Sequence, residues 1–227
     1  VYTKLGEMRG EDGELLFPGY EYDAHGINRS RYLPGTKIVS GRSIYRGEDP
    51  GEGGHKIGYP GIYYNVGLYD VASMHPHSAI RLGIFGPEIT KRFENIVEGR
   101  VAVKHIKAIG DASYQKAIEY LGPDIQKYLT GEGDELKKNA KALADALKTG
   151  INSVYGLTSA HFDNALRDIR NVDNIVAKYG ALFMINLKHA LWDMGATVVH
   201  VSTDSIKVAN ITPEIEDFIM EFGRKYG

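Results

Sequence analysis

Asp70 and Asp204 are the residues of this sequence whose type and setting best suit chemistry. Asp70 stands near the end of an aromatic and β-branched run, and Asp204 stands in the middle of a short Ser-Thr-Asp-Ser segment. Two carboxylates from different strands supply the few hard oxygen ligands that a pair of Mg²⁺ ions needs, with positions left for water and substrate phosphates. Such a centre can stabilise an in-line phosphoryl displacement. The alternative is that each aspartate only serves a turn or solvates a strand edge.

A set of polar side chains at helical spacing could supply the matching phosphate-binding surface. Its members are Lys137, Lys141, Lys148, Asn152 and Tyr155. Their separations of three, four and seven positions put them on one stripe of a helix. Cations on that stripe would suit a triphosphate. A solvated lysine face is the commoner meaning of the same pattern.

Two stretches are expected to position the aspartates. Residues 62–71 are β-branched and aromatic, which predicts a strand that delivers Asp70 near its end. Residues 199–208 alternate apolar and polar side chains on both sides of Asp204, which predicts a hairpin with this residue at its turn.

Apolar periodicity predicts four helices. They cover about 113–121, 134–156, 173–195 and 213–222. Asp134 and Asp173 are expected to be N-caps, and Gly156 and Gly195 are expected to end their helices. The second helix has one apolar stripe, formed by Leu136, Ala140, Leu143, Leu147, Ile151 and Val154.

Composition restricts the class of protein. The 227 residues are 43% hydrophobic and 25% charged, which is typical of a soluble globular protein. No cysteine is present, so disulfides and thiolate metal sites are excluded. No apolar run approaches the length of a membrane span, and we expect a cytoplasmic protein without a membrane partner. The formal net charge of −2 means that phosphate binding must come from local clusters.

Three segments extend this interpretation. They are Asp70-Val71-Ala72-Ser73-Met74-His75-Pro76, Lys148-Thr149-Gly150-Ile151-Asn152-Ser153-Val154-Tyr155-Gly156 and Thr203-Asp204-Ser205. In this order they resemble the three polymerase motifs of DNA polymerase family B, above all its bacteriophage and viral members. The middle segment is the most specific because it fixes five positions. The resemblance covers roughly residues 53–227.

The resemblance implies an α+β fold, in which a polymerase palm with an antiparallel sheet packed by helices carries a helical fingers insertion. Residues 1–52, which the resemblance does not cover, are rich in glycine and turn signals and are expected to be an irregular lead-in with one short strand at 37–40 and a flexible acidic loop at 47–54. Residues 53–90 and 157–227 would form the two parts of the palm, and residues 91–156 would form the fingers. The exonuclease and thumb domains of such a polymerase are expected to lie outside this sequence.

The resemblance also implies a metal centre and a reaction. Asp70 and Asp204 would bind two Mg²⁺ ions, which Mn²⁺ can replace, and the carbonyl of Val71 would add a ligand. The primer 3′-hydroxyl would attack the α-phosphate of a dNTP and release pyrophosphate. The partners would be primer–template DNA and dNTPs, in the host cytoplasm if the protein is viral. The net charge predicts weak and strongly salt-dependent template binding.

Further residues match the nucleotide site of the family. The backbone amides of Ser73 and Met74 would hold triphosphate oxygens, Lys148 would neutralise the triphosphate, and Tyr155 would lie against the nascent base pair. Asn152 would support the nucleotide site. Helical spacing alone suggests Lys137 or Lys141 as a second cation. The remaining motif positions that support the site are Ser153, Gly156, Thr203 and Ser205.

Two positions depart from the family pattern. Ser202 replaces the first acid of an Asp-Thr-Asp motif, which weakens the expected metal affinity. His75 replaces a tyrosine that excludes a 2′-hydroxyl, so discrimination between sugars is expected to be poorer. A metal site at His75 and His77 is disfavoured by the proline between them. Two alternatives stay open: a non-catalytic DNA- or replisome-binding relic, and a primase-like nucleotidyl transferase that accepts ribonucleotides.

Overall fold

The computed structural model describes residues 45–48, 50, 54–158, 160, 162–166 and 175–226, and before residue 45 only the backbone of short strands. The strands are β1 (Thr3–Leu5), β2 (Met8–Arg9), β3 (Leu15–Phe17), β4 (Tyr20–Asp23), β5 (Gly26–Ile27), β6 (Thr36–Val39), β7 (Arg42–Tyr45), β8 (Lys56–Gly58), β9 (Gly67–Asp70), β10 (Thr197–Ser202) and β11 (Ser205–Ala209). The α-helices are α1 (Met74–Leu82), α2 (Gly86–Lys104), α3 (Ala112–Leu121), α4 (Gly133–Thr158), α5 (Ile175–Asp193) and α6 (Pro213–Tyr226). A 3-10 helix covers Pro123–Tyr128.

The chain divides into two compact units. The first comprises Val1–Ile84 with Ile169–Gly227, and the second comprises Phe85–Asp168. The first unit contains a four-stranded antiparallel sheet with the strand order β8-β10-β11-β9, packed by helices. The predicted α+β class with a helix-packed antiparallel sheet is therefore confirmed.

Alternation along the central hairpin places its apolar side chains in a core. On β10 and β11, Val201, Ile206 and Val208 are almost completely buried, whereas Lys207 between the last two is exposed. These side chains pack against α5 and α6. Burying each large aliphatic side chain contributes about 1.5–3 kcal/mol, so this core fixes the register of the hairpin.

The described part of the second unit is helical. Its core lies between α2, α3, α4 and the 3-10 helix, and includes Val103, Tyr114, Leu129, Leu136 and Ala140. The predicted apolar stripe of α4 is confirmed, since its six side chains are buried or half-buried. None of the helices in the described ranges combines the length and the apolar character needed to cross a bilayer.

Helix boundaries differ from prediction at two predicted caps. α4 begins at Gly133, so Asp134 lies in its first turn and is not its N-cap. Gly156 does not end α4, which continues to Thr158. Thr158 is buried and its hydroxyl donates to the carbonyl of Tyr155, so packing outweighs the cost of about 1 kcal/mol for an interior glycine. Gly195, with φ +81°, follows α5 as predicted, while Asp173 lies outside the described residues.

The predicted strand over residues 62–71 is wrong in its first half. Only Gly67–Asp70 forms a strand, while Ile62 and Tyr64 are 85% and 76% exposed. Asn65 adopts φ +45°, and its side chain donates to the carbonyl of Ile211. The β-propensity of this segment is therefore overridden by a turn, which is hydrogen-bonded to the residues that follow β11.

The first 52 residues also differ from the expected irregular lead-in. Short antiparallel strands run through them, in the groups β1-β4-β5, β2-β3 and β6-β7. The predicted strand at residues 37–40 corresponds to β6. Glu48 does not belong to a flexible acidic loop, because its carboxylate is largely buried against α5.

Candidate active site

The sheet brings Asp70 and Asp204 together from distant parts of the sequence. Asp70 ends β9 and is in register with Ser205, the first residue of β11. The amide of Val71 donates to the carbonyl of Asp204 at 2.7 Å. Asp70 therefore lies at the end of its strand beside the turn that carries Asp204, at one end of the sheet.

Asp204 is held at a tight turn between β10 and β11. Its amide donates to the carbonyl of Ser202 at 2.6 Å, and Thr203 between them has φ +54°. The amide of Thr203 donates to the carbonyl of His55 at 2.8 Å. A Cβ on Gly54 would lie 2.7 Å from Thr203 Cγ2, so only glycine fits this close approach.

The electrostatics of the pair identify two carboxylates that oppose each other's charge. The pKa of Asp70 is raised above its ordinary value of 3.8, first by partial burial and then by repulsion from Asp204. A bound cation would relieve both effects, because it favours the ionised form.

The N-terminus of α1 follows Asp70 directly. Ser73 occupies the N-cap position with φ +55°, and its carbonyl accepts the first bond of the helix, from the amide of His77. Helix geometry leaves the amides of the first turn, including Met74, without intrahelical acceptors, and such amides attract anions. Pro76 fits in this first turn because it has no amide hydrogen to satisfy.

Close packing fixes where α1 begins. Met74 is 5% exposed and lies against α5, where a Cβ on Gly180 would be 2.6 Å from its sulfur. The hydroxyl of Ser78 donates to the carbonyl of Met74 at 2.8 Å. The helix N-terminus is thereby anchored to the same core that supports β10 and β11.

His75 lies in the first turn of α1 and is half-buried. Burial lowers the pKa of its imidazole, and the carboxylate of Asp204 partly opposes that effect. The residue predicted to face the nucleotide sugar is therefore within electrostatic range of the carboxylate pair. Its imidazole is favoured in the neutral form at neutral pH.

The predicted cationic stripe lies on α4 in the second unit, whereas the aspartates belong to the first. Lys148 and Asn152 are exposed and Tyr155 is half-buried. Lys137 pairs with Asp134 at 3.0 Å, and Lys141 pairs with Asp145 at 2.9 Å. Both pairs are exposed to solvent, so each contributes little to stability.

The remaining predicted positions serve the backbone. Ser153 donates its hydroxyl to the carbonyl of Thr149 at 2.9 Å, and Ser205 donates to that of Ser202 at 3.3 Å. Ser202 ends β10 as a half-buried residue beside Asp204. In the described ranges, no group of three or more His, Asp or Glu side chains has an arrangement that could hold a metal ion. Main-chain oxygen would therefore have to complete a set of ligands around the pair.

Sequence reasoning missed Gly54 and His55, which buttress the turn at Thr203. The only local signal is the Gly53-Gly54 pair, which belongs to the segment expected to be a flexible acidic loop. Compared with known proteins, the chain matches no family model and no curated sequence. A function therefore has to follow from its own residues.

Proposed function

We propose that this chain contains the nucleotidyl-transfer centre of a template-directed DNA polymerase. The observation that carries the proposal is the placement of Asp70, at the end of β9, beside the turn that holds Asp204, with a repulsion from Asp204 that helps to raise the pKa of Asp70. A carboxylate pair that merely solvated a strand end would have no need to face a like charge. The three sequence motifs that resemble family B polymerases give the pair its chemical context.

The residues present fit a Mg²⁺ site. Asp70, Asp204 and the carbonyl of Val71 are hard oxygen donors, and an octahedral ion would keep water or phosphate at its other positions. When bound, the ions would neutralise charge on the attacking and leaving oxygens of the phosphoryl group. Because position 202 is a serine and not an acid, the ligand set contains only two carboxylates. We therefore expect a moderate affinity for Mg²⁺.

The chain's own groups would orient the triphosphate and the primer. The first-turn amides of α1 would donate to triphosphate oxygens. They would thereby offset the repulsion between the triphosphate and the nearby carboxylates. Lys148 would provide a further cation from α4. No protein nucleophile is required, because the primer 3′-hydroxyl attacks the α-phosphate and pyrophosphate leaves.

Metal binding tests the proposed centre. We expect Mn²⁺ to bind to the wild-type chain, and to bind more tightly when a dNTP is present. Asp204→Asn should weaken binding by at least about tenfold, because it removes half of the carboxylate charge. Asp217→Asn, an exposed aspartate of α6 in the same unit, is the matched control and should bind like wild type. Titration calorimetry measures all three.

Two results would count against the proposal. Wild-type affinity in Asp204→Asn would show that the pair does not bind the metal. Mn²⁺ binding that ignores the dNTP would instead favour the non-catalytic relic.

A further inference from the structure

A buried ionic cluster lies next to the candidate active site, within the first unit. At its centre, the carboxylate of Glu48 forms an ion pair with Lys188 and a hydrogen bond with His189 Nε2 at 2.8 Å. His55 Nε2 lies 2.9 Å from Glu48 Oε2, the oxygen that also pairs with Lys188. The side chain of Lys188 is completely buried, and its ammonium lies 4.8 Å from the centre of the Trp192 ring.

The cluster clamps one loop onto α5. Glu48 and Tyr45 exchange two backbone hydrogen bonds, at 2.8 and 2.9 Å. The hydroxyl of Tyr45 donates to Asn186 at 2.8 Å, two and three residues before Lys188 and His189 on the same helix. Burial alone would raise the pKa of Glu48, but hydrogen bonds from Lys188 and His189 outweigh it and lower the pKa below its ordinary value. The carboxylate is thus held in its charged form.

His55 connects this cluster to the turn that carries Asp204. Its ring contacts Glu48, whereas its carbonyl accepts the amide of Thr203 at 2.8 Å. The next residues form β8, whose Lys56 is in register with Ser202. The position of the 202–204 turn therefore depends on how His55 is held.

Stability alone does not explain a buried pair of charges. Their desolvation cost rivals their attraction, and apolar residues of similar volume are often as stable. We propose that Glu48, through His55, is a positioning residue for Asp204. That Glu48 serves catalysis rests on the proposed function. That Glu48 fixes the 202–204 turn rests on geometry alone.

The test uses the double variant Glu48→Leu/Lys188→Met, which removes both charges and leaves no buried ion unpaired. We expect the Thr203 amide to exchange its hydrogen about tenfold faster, because the carbonyl that accepts it is no longer fixed. Exchange at Ile206, inside the sheet, should stay unchanged. Mn²⁺ affinity should fall about tenfold. The matched control is Glu221→Leu/Arg224→Met, which neutralises an exposed pair on α6 and should change neither readout.

His55→Leu is the second variant, for the case in which the double variant does not fold. It leaves the Glu48–Lys188 pair in place and should reproduce both effects. Unchanged exchange at Thr203 in a folded variant would overturn the inference. Equal acceleration at Thr203 and Ile206 would also overturn it, because the cluster would then only stabilise the fold.

The experiments distinguish a failure of the proposed function from a failure of the positioning role of Glu48. If Asp204→Asn binds Mn²⁺ like wild type, the metal centre is wrong, whereas exchange at Thr203 still decides whether Glu48 fixes the turn. If Asp204→Asn loses Mn²⁺ and the cluster variants keep it, the centre stands and the positioning role falls.

Discussion

At the scale of residues, the carboxylates of Asp70 and Asp204 oppose each other at one end of the sheet. Partial burial and the neighbouring charge both raise the pKa of Asp70. The main chain enforces this proximity through the Val71 amide and the strand register. A protein that tolerates such repulsion commonly uses it at a functional site.

The titration of Asp70 gives a prediction with a definite sign. Its folded-state pKa lies above the ordinary 3.8. Without metal, the folded state therefore holds this proton more tightly than the unfolded state. The free energy of unfolding should fall as pH rises from about 3.8 through the raised value. Asp204→Asn should move the pKa of Asp70 back toward 3.8, as carboxyl NMR titration in EDTA would show.

Mg²⁺ should act in the same direction as that substitution, because a cation favours the ionised carboxylate. An Asp70 pKa that is the same in wild type and in Asp204→Asn would remove the electrostatic support for a paired site.

At the scale of elements, the central hairpin and the end of β9 carry the site. The hairpin could be predicted because its alternation of apolar and polar residues is local. The strand over residues 62–66 could not be excluded from sequence, because its composition favours β-structure and only the tie between Asn65 and Ile211 diverts it. Gly156 failed as a helix end for a related reason, since packing of Thr158 extends α4.

The hairpin core gives a prediction about stability. Ile206 on β11 is 1% exposed, whereas Leu68 on the neighbouring β9 is 62% exposed. Ile206→Ala should lower the free energy of unfolding by about 2–5 kcal/mol, through lost burial and a cavity. Leu68→Ala, the matched control, should change it by less than about 0.5 kcal/mol. Urea unfolding of both variants measures the difference, and equal losses would contradict the described core.

At the scale of the whole molecule, the α+β fold class could be predicted from the order of the sequence motifs. The long helix α4 could be predicted from its apolar periodicity. The contacts of Glu48 with Lys188 and His189 could not, because no local pattern indicates a partner about 140 positions away in the sequence. Except for β6, the strands of the first 45 residues were also missed, since runs of two to four residues carry little periodicity. Local sequence patterns therefore predict much of the secondary structure of this chain, whereas they do not predict polar contacts between distant residues.

Primer extension tests the central claim most directly. A labelled primer–template would be incubated with dNTPs at low salt, first with Mg²⁺ and then with Mn²⁺, beside Asp204→Asn and the Asp217→Asn control. We predict template-directed extension by wild type and by the control. In Asp204→Asn the rate should fall at least about a thousandfold, which corresponds to about 4 kcal/mol of lost transition-state stabilisation. Extension at the wild-type rate in Asp204→Asn, or no extension by the wild-type chain with either ion, would contradict a polymerase centre at Asp70 and Asp204.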